Sequence, residues 1–266
     1  MHYKRNSNLV SQKHLGSKKQ GAAENVRKDK KKKNLAREYT EAILVALLAA
    51  LFLRAFVVQA FRIPTGSMKD TLLVGDFLLV NKFIYGVRTP DHIPMINAQI
   101  PYGRLPAFKD PTNGDVVVFK YPKNPELDYI KRCIAVGGQT VEIRDGTVYV
   151  DGKPEGEKID LGREYDPDEG RFVEYFRINA PNGKSYVIRH YADHYLKSED
   201  FGPVTVPEDH YFMMGDNRDN SADSRVWGFL PHDNVVGEAL IIYFSWNKHG
   251  HLIDLVRWSR IANLIK

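Results

Sequence analysis

The hydrophobic pattern divides the chain into a polar tail, one long apolar run and a body of short alternating segments. Within residues 42–61, 18 of 20 residues are apolar, the exceptions being Arg54 and Gln59. A helix of this length spans about 30 Å, which matches the core of a bilayer. A buried core helix is an alternative, but a soluble surface helix would show a polar stripe, and residues 42–53 have none. The pattern predicts a transmembrane helix over residues 38–61.

Beyond the apolar run, short runs of β-branched and aromatic residues alternate with turn signals such as Asp145-Gly146 and Asn182-Gly183. This pattern predicts a mainly β, antiparallel domain over residues 62–266. Apolar residues at helical spacing over Leu252–Ile265 predict a short amphipathic helix, which packs on the body or lies on a membrane. The predicted strands are Phe77–Asn81, Val116–Tyr121, Tyr129–Val136, Thr140–Arg144, Val148–Val150, Phe172–Ile178, Tyr186–Tyr191, His210–Met214 and Val235–Tyr243.

The polar tail carries an excess of positive charge. The chain has a net charge of +5, but residues 1–37 alone contain 12 Lys and Arg against two acids, which leaves 26 basic and 31 acidic residues beyond Arg37. This division disfavours a uniformly basic nucleic-acid binder. Because residues 1–37 have few large apolar side chains, we expect a basic, disordered tail. Nucleic-acid binding by Lys30–Lys33 is an alternative, although a charge run beside an anchor more commonly contacts lipid headgroups.

The charges that flank the apolar run predict its orientation. Six Lys and Arg lie within about 15 residues before it, whereas only Arg62 and Lys69 follow closely. The positive-inside rule therefore predicts a cytoplasmic tail and an extracytoplasmic body. A cleaved signal peptide is an alternative, but its whole length is about 15–30 residues and the basic lead here is already about 40. We expect an uncleaved, single-pass anchor in the inner (cytoplasmic) membrane.

Several familiar catalytic motifs are missing or stand in the wrong context. The chain has no Gly-x-Ser-x-Gly, His-Glu-x-x-His or Gly-x-Gly-x-x-Gly motif. Ser245–Lys248 fits Ser-x-x-Lys, but a strand rather than a helix is predicted there. The single cysteine, Cys133, excludes an intramolecular disulfide and a cysteine-rich zinc site. The spacing of His190, His194 and His210 suits no compact metal site, so we expect no metal and no cofactor.

A candidate nucleophile, Ser67, follows the apolar run. It is six residues beyond Phe61, and therefore lies within about 20 Å of the bilayer edge even in an extended chain. Pro64 and Gly66 predict a turn that exposes this serine beside backbone N–H groups, as an oxyanion hole requires. Gly-Ser turns are common, however, and without a partner a structural role is the simpler interpretation.

A candidate general base, Lys131, lies in a predicted strand. Alternation places Tyr129, Lys131 and Cys133 on one face of that strand. To accept a proton from a serine, the lysine needs a pKa lowered from ~10.4 toward ~8, which burial would supply. The alternative is a lysine that points to solvent from an edge strand, and the pattern alone favours that alternative.

Successive motifs along the chain resemble the conserved boxes of bacterial type I signal peptidases. They are Pro64–Leu72, Gly75-Asp76, Gly114–Phe119, Tyr129–Arg132 and Gly215–Gly228. Together with the apolar run, the resemblance covers roughly residues 40–240. It implies an antiparallel β domain of signal-peptidase type, preceded by one N-terminal transmembrane helix. A region at about residues 155–205 carries no motif and is interpreted as a β insertion.

The resemblance implies a membrane-bound serine endopeptidase that removes N-terminal signal peptides from exported preproteins. Cleavage would follow small residues at positions −1 and −3. Ser67 is similar to the family's nucleophile and Lys131 to its general base, which implies a Ser/Lys dyad and an acyl-enzyme. The N–H of Ser67 and the hydroxyl of Thr65 would form the oxyanion hole. Many family members have serine where this chain has Thr65, which affects the expected rate and not the type of reaction.

Further roles are implied in the same way. Ser221 resembles the residue whose hydroxyl orients the lysine amine, and Asp223 and Arg225 resemble a supporting ion pair. Cys133 is expected to pack in the core, with a reactive thiol as the alternative. The implied substrate-binding residues are Phe61, Ile63, Pro64, Met68, Tyr129 and Ile130.

The expected partners are preproteins that carry signal peptides and the lipid bilayer, with the export translocon as a further candidate and no nucleic acid. A self-cleaving repressor with the same dyad is the nearest chemical alternative, but it needs a DNA-binding module where this chain has a tail and an apolar run. A non-catalytic membrane protein whose basic arm binds nucleic acid or anionic lipid is an alternative from another class.

Overall fold

The computed structural model describes residues 35–51, 53, 57–86, 103–193, 199–248, 250 and 254–266. The chain divides into two compact units, with the boundary after Leu53. In the first unit, residues 35–51 form a helix, α1, whose side chains are exposed. None of the helices within the described ranges combines the length and the apolar character that a membrane crossing requires. Residues 1–34 of the predicted disordered tail lie outside the described residues, and residues 35–37 belong to α1, so the prediction is wrong for these three residues.

The second unit is built from β-strands, which confirms the predicted mainly β, antiparallel class. The described residues form a seven-stranded sheet, a three-stranded sheet and a four-stranded sheet. In chain order the strands are β1 (Val58–Arg62), β2 (Asp76–Asn81), β3 (Val116–Tyr121), β4 (Asn124–Val136), β5 (Thr140–Arg144), β6 (Thr147–Val150), β7 (Lys153–Pro154), β8 (Glu157–Asp166), β9 (Arg171–Asn179), β10 (Ser185–Tyr191), β11 (Phe201–Thr205), β12 (His210–Met214), β13 (Leu230–Pro231) and β14 (Val235–Ser245).

The seven-stranded sheet has the order β1-β2-β14-β3-β4-β12-β13, in which neighbouring strands pair antiparallel. The other described sheets have the orders β10-β9-β8 and β11-β5-β6-β7. Asp145 and Gly146 join β5 to β6 with φ angles of 49° and 67°, as expected for the predicted Asp-Gly hairpin. A short helix, α2 (Ser224–Trp227), follows β12, and Asp223 caps its N-terminus.

The predicted helix over residues 38–61 is wrong at its C-terminal end. Val58–Arg62 forms β1 and pairs antiparallel with β2, with Ala60 opposite Leu79. Residues 52 and 54–56 of the predicted helix lie outside the described residues. The error has a physical reason: the apolar residues of β1 continue the preceding apolar run, and only their pairing with β2 distinguishes a strand from a helix. The β domain therefore starts at Val58 rather than at residue 62.

The predicted C-terminal amphipathic helix is also wrong in the part that the structure describes, residues 254–266. Trp258–Arg260 is a single 3-10 turn, and the chain around it follows β14. Ala262 N donates to Ile242 O at 2.8 Å, and Ile242 N donates to Asn263 O at 3.0 Å. The backbone thus satisfies its hydrogen bonds with a strand, so the helical spacing of its apolar side chains does not determine its conformation.

Three apolar clusters surround the middle of the seven-stranded sheet. Val116–Phe119 of β3 and residues 131–135 of β4 are buried, and β4 lies between β3 and β12. β4 is therefore an interior strand, and the alternative of a lysine that points to solvent from an edge strand is wrong. The region at 155–205 contributes β8, β9 and β10, which form the three-stranded sheet, and also β11 of the four-stranded sheet.

Candidate active site

Ser67 and Lys131 meet in the structure although they are 64 residues apart in the sequence. The Nζ atom of Lys131 donates a hydrogen bond to Oγ of Ser67 at 2.6 Å. Both residues are shielded from solvent, since only 8% of Ser67 and 4% of Lys131 is exposed. The pair therefore has the contact that general-base activation of a serine requires.

The position of Lys131 follows from the alternation of side chains along β4. Val117 of β3 is its partner in the ladder. Because successive side chains of a strand point to opposite faces, Lys131 reaches Ser67 on one face and its neighbour Arg132 extends on the other. There Arg132 donates two hydrogen bonds to the Asp216 carboxylate, at 2.8 and 2.6 Å. β4 thus supplies both the Lys131 amine, which has no carboxylate in contact among the described residues, and the Arg132 side chain of a buried ion pair.

The surroundings of Lys131 weaken its hold on a proton. Burial lowers the pKa of its ammonium group to about 8, and the carboxylates of Asp223 and Asp216 oppose this decrease. The amine also donates to the Ile130 carbonyl at 3.1 Å and lies 5.4 Å from the centroid of the Tyr129 ring. A lysine with this pKa has an appreciable neutral fraction near pH 7, and a neutral amine can accept a proton from a hydroxyl.

A turn rooted in the core presents Ser67. Met68 and Leu72 are fully buried, and they draw the turn inward. The turn is closed by backbone hydrogen bonds from Lys69 N to Gly66 O at 3.0 Å and from Leu72 N to Met68 O at 2.6 Å. The predicted turn is present, but the expectation that it exposes the serine is wrong, because the anchoring side chains carry Ser67 below the surface.

Asn217 holds the backbone on both sides of the Ser67 side chain. Its N–H donates to Ser67 O at 3.1 Å, and its Nδ2 donates to Gly66 O at 3.1 Å. The preceding residue, Asp216, accepts a hydrogen bond from the Thr71 hydroxyl at 2.5 Å. The segment around Asp216 and Asn217 therefore fixes the turn at its start, at the serine and at its end.

The hydroxyl of Ser221 does not make the expected hydrogen bond to the lysine amine. Its Oγ is buried and has no hydrogen-bond partner among the described residues. It lies against Gly215, where an added Cβ would stand 2.4 Å from Ser221 Oγ and 2.4 Å from Ser67 O. The Ser221 hydroxyl thus lies beside the backbone of Gly215 and Ser67, whereas the expectation placed it in a hydrogen bond with the Lys131 amine.

The expected ion pair of Asp223 and Arg225 is present. Arg225 donates from Nε and Nη2 to the two carboxylate oxygens at 2.8 and 2.7 Å. Asp223 also accepts from the N–H of Gly215 at 3.1 Å and has no exposed surface. The pair thus fixes the segment that contacts Ser67, and the Asp223 charge acts on the pKa of Lys131.

The predicted substrate-binding residues belong to two apolar clusters, except for Pro64. Tyr129 belongs to one apolar cluster and stacks on Tyr121 at a centroid distance of 4.5 Å. Pro64 and the predicted oxyanion residue Thr65 are exposed. The other four residues share a second apolar cluster, and they are Phe61, Ile63, Met68 and Ile130. Two apolar clusters therefore contain most of the predicted substrate-binding residues, and Thr65 is exposed.

Sequence reasoning missed a charged network that links the Ser67 turn to the region at 155–205. Asp166 Oδ2 lies 2.7 Å from Lys69 Nζ and 2.6 Å from Arg189 Nη2. Glu155 pairs with Arg218 through contacts of 2.7 and 2.9 Å. Both acids come from the region without a motif, and the Lys69–Asp166 partners are 97 residues apart. No local sequence signal could have found these pairs.

The remaining candidate ligands and nucleophiles have structural contacts. Burial raises the pKa of the Cys133 thiol, and its Sγ lies 3.8 Å from Ala135 O. His190 Nδ1 is 3.1 Å from Asp219 Oδ2, and His210 Nδ1 is 2.8 Å from Glu208 O, while His194 lies outside the described residues. The part of the chain that the structure describes contains no group of three or more His, Cys, Asp or Glu side chains arranged to hold a metal ion.

Comparisons with known proteins give consistent matches. The family model described as signal peptidase, peptidase S26, matches residues 36–246. A signal peptidase I from Pseudomonas aeruginosa is 40% identical over 87% of this chain and 80% of its own length. One from Aquifex aeolicus is 38% identical over 79% of this chain and 85% of its own length. A crystal structure of a signal peptidase I from Enterococcus faecalis aligns with 49% of this chain and 97% of its own, with 29% identity and a TM-score of 0.32.

Proposed function

The chain belongs to the S26 family of signal peptidases, and from that premise we propose that it is a membrane-anchored serine endopeptidase that removes signal peptides from exported preproteins. Family membership makes it a hydrolase that acts on signal peptides. The observation that carries the finer proposal is the contact of 2.6 Å between Lys131 Nζ and Ser67 Oγ, both of them buried. A buried amine in hydrogen-bond contact with a serine is the arrangement of a Ser/Lys dyad.

In the first half of the proposed reaction, neutral Lys131 takes the proton of the Ser67 hydroxyl while Oγ attacks the carbonyl carbon of the scissile bond. The pKa of about 8 makes the neutral amine available near physiological pH. The developing oxyanion accepts hydrogen bonds from the N–H of Ser67 and from the exposed hydroxyl of Thr65. Lys131 then passes its proton to the leaving amine, which departs with the mature protein.

In the second half, the signal peptide is held as an ester on Ser67. Lys131, neutral again, takes a proton from a water molecule that attacks the ester carbonyl. The tetrahedral intermediate collapses, the C–O bond to Ser67 breaks, and the proton on Lys131 returns to Oγ. The same base therefore acts in both halves of the proposed reaction. A single buried amine can perform both proton transfers, and no histidine is needed.

Selection of small residues at −1 and −3 is the proposed specificity. An extended substrate would lie between residues 63–65 and 128–130 and add a strand, so that backbone hydrogen bonds provide affinity and side-chain pockets provide selection. The apolar cluster around Ile63 and Met68 is closely packed, since 3% and 0% of these residues is exposed. Small pockets beside this cluster would accept alanine or glycine and exclude larger side chains.

The proposed location is the inner membrane, with the tail cytoplasmic and the β domain extracytoplasmic. The apolar residues between 38 and 57 would form the single anchor, and the strand β1 would follow it directly. Enzyme and signal-bearing substrate then share the bilayer, which raises the effective concentration of the scissile bond at Ser67. The export translocon is a candidate partner because it delivers the same substrates.

The test is cleavage of a signal-bearing preprotein, in detergent and in liposomes, by the intact chain and by Ser67→Ala and Lys131→Ala. We expect the parent to cut after a small residue, as mapped by mass spectrometry, and both variants to lose activity while their circular dichroism stays parental. Cys133→Ala serves as a control, because it alters a buried residue on the same strand that has no part in the reaction.

Cleavage by both variants at the parental rate would contradict the dyad. Absence of cleavage by the parent, over a panel of preproteins, would instead favour the non-catalytic alternative in which the basic tail binds anionic lipid or nucleic acid. Deleting residues 1–36 separates the two functions, since the peptidase should keep its activity and an arm-dependent binder should lose its function.

A further inference from the structure

One hairpin turn contacts the Ser67 turn directly at Lys69 and, through Asn217, at Gly66. Residues 167–170 join β8 to β9 in the region that carries no family motif. Asp166, at the start of this turn, accepts hydrogen bonds from Nζ of Lys69, two residues after Ser67. Glu169, near its end, accepts a hydrogen bond from Asn217 Nδ2 at 3.1 Å. The hairpin is thus connected to the chain on both sides of the serine.

The contact through Asn217 leads directly to the backbone of the serine. Nδ2 carries two hydrogens, and it donates to Gly66 O at 3.1 Å and to Glu169 Oε1 at 3.1 Å. On the other side of the amide, Oδ1 is buried and has no hydrogen-bond partner among the described residues. The Gly66 carbonyl and Glu169 therefore determine which way the amide points. Without the Glu169 carboxylate, Nδ2 keeps only one of its two hydrogen bonds, the one to Gly66 O. If the amide then flipped, its oxygen would face the Gly66 carbonyl oxygen, and the two acceptors would repel each other.

Glu169 is itself held firmly. Arg189 Nη2 lies 3.1 Å from Glu169 Oε1 and 2.6 Å from Asp166 Oδ2, and the Arg189 side chain is 1% exposed. Asp166 Oδ1 accepts the N–H groups of Asp168 and Glu169 at 2.9 and 3.3 Å. Charge-assisted hydrogen bonds in a buried setting are short and directional, so they fix the turn relative to Asn217.

We propose that Glu169, on the turn between β8 and β9, is a positioning residue for Ser67 that acts through Asn217. The inference rests on the proposed function, because it takes Ser67 as the nucleophile. Displacing a reacting group by about 1 Å can reduce the rate on the order of 100-fold. Lys131 is positioned separately by β4, so loss of Glu169 would change the geometry of attack and leave the base unchanged.

The test compares Glu169→Ala with the intact parent chain on a signal-bearing preprotein in detergent. We expect kcat to fall about 10- to 100-fold, KM to stay within about threefold, and the midpoint of the pH profile to stay parental. The folded fraction is measured by circular dichroism, and rates are expressed per folded chain. Glu164→Ala is the matched control, since Glu164 is an exposed acid on the same hairpin, and we expect parental values for it.

Two conservative variants separate positioning from folding. Glu169→Gln keeps an oxygen acceptor for Asn217 Nδ2, and we expect it to recover most of kcat. Glu169→Asp keeps the charge beside Arg189 but withdraws the acceptor by one methylene, so we expect a reduced kcat at a parental melting temperature. This variant decides the matter if Glu169→Ala does not fold.

Parental kcat per folded chain in both Glu169→Ala and Glu169→Asp would overturn the inference. So would a rate loss that only follows the loss of folded protein, because the hairpin would then be structural. If the parent shows no cleavage that depends on Ser67, the proposed function fails and this inference fails with it. If the parent cleaves and both variants cleave equally fast per folded chain, only the positioning role is rejected.

Discussion

At the scale of single residues, the protonation state of Lys131 governs the proposed reaction. Only the neutral amine accepts the Ser67 proton, and burial lowers the pKa of this lysine to about 8. We therefore predict that kcat/KM rises with pH to a plateau, with a midpoint near 8, and that it is lower at pH 6 by on the order of 100-fold. Steady-state rates between pH 6 and 10 measure this. A midpoint near 6.5, or a rate that still climbs at pH 10, would contradict a desolvated lysine base.

The carboxylate of Asp223 should tune that midpoint. Its negative charge favours the charged form of Lys131 and opposes the effect of burial. We predict that Asp223→Asn moves the midpoint of the pH profile to lower pH, while asparagine still caps α2. The control is Asp254→Asn, at an exposed position, which should not move it. An unchanged or raised midpoint for Asp223→Asn would contradict this electrostatic account.

The buried amine should also reduce stability at neutral pH. The pKa of Lys131 is about 8 in the folded chain and ~10.4 when unfolded, so between these values the unfolded chain binds more protons and stability rises with pH. Below pH 8 the folded chain carries the full penalty, about 3 kcal/mol. We predict that Lys131→Met is inactive but more stable than the parent by about 2–3 kcal/mol at pH 7.

Denaturant unfolding of the parent and of Lys131→Met at pH 7 and pH 10 tests this prediction. Other titrating groups are common to both chains, so the difference between them isolates Lys131. The stability gain should shrink toward pH 10. A gain that is independent of pH would come from packing and not from the charge.

The residues of the site that the proposed reaction requires could be predicted from the sequence. The contacts that depend on how closely distant segments of the backbone approach each other could not. Ser67 and Lys131 could be proposed because the motifs around them are specific, and their roles stay predictions until the variants are assayed. The absence of a hydrogen-bond partner for the Ser221 hydroxyl among the described residues could not be predicted, because it depends on how closely the segments of Ser221 and Gly215 approach each other. Glu169 could not be found either, because its partner Asn217 is 48 residues away and no motif surrounds it.

At the scale of elements, β4 places two cationic side chains in opposite environments, because adjacent side chains of a strand point to opposite faces of the sheet. Lys131 faces Ser67 without a carboxylate in contact, whereas Arg132 is fully buried against Asp216. We predict that Arg132→Met, which leaves Asp216 as an unpaired buried charge, lowers the free energy of unfolding by about 3–5 kcal/mol. Arg177→Met, at an exposed position of β9, is the control and should cost less than about 1 kcal/mol. Equal melting temperatures for the two variants would contradict the prediction.

The strands that alternation predicted are present, and those that it missed depend on their partners. β8 contains charged residues and Gly162 in place of a regular apolar pattern, and pairing with β9 stabilises it along its length. The hydrophobic pattern predicts a helix for the residues of β1, because they continue the preceding apolar run. The alternation of apolar and polar residues therefore identifies strands that bury one face. It does not identify a strand that forms only because a neighbouring strand supplies its hydrogen-bond partners.

At the scale of the whole molecule, the two units allow the proposed anchor to be separated from the proposed chemistry. Arg54–Lys266 forms one compact unit that contains Ser67, Lys131 and the three described sheets. A chain that starts at Arg54 should therefore keep its fold. If residues 38–57 anchor the enzyme beside its substrate, the truncated chain loses the effective concentration that the bilayer provides and retains its intrinsic reactivity.

We predict that the chain starting at Arg54 cleaves a short soluble peptide at a rate within a few fold of the parent. On a preprotein inserted in liposomes, its rate should fall on the order of 100-fold or more. Deleting only residues 1–36 is the matched control, because it removes the basic tail and keeps the apolar run, and both rates should stay near parental. Equal losses on both substrates would mean that the first unit supports folding of the second. Parental rates on both would mean that the first unit does not deliver the enzyme to its substrate, and the proposed anchor would have to be abandoned.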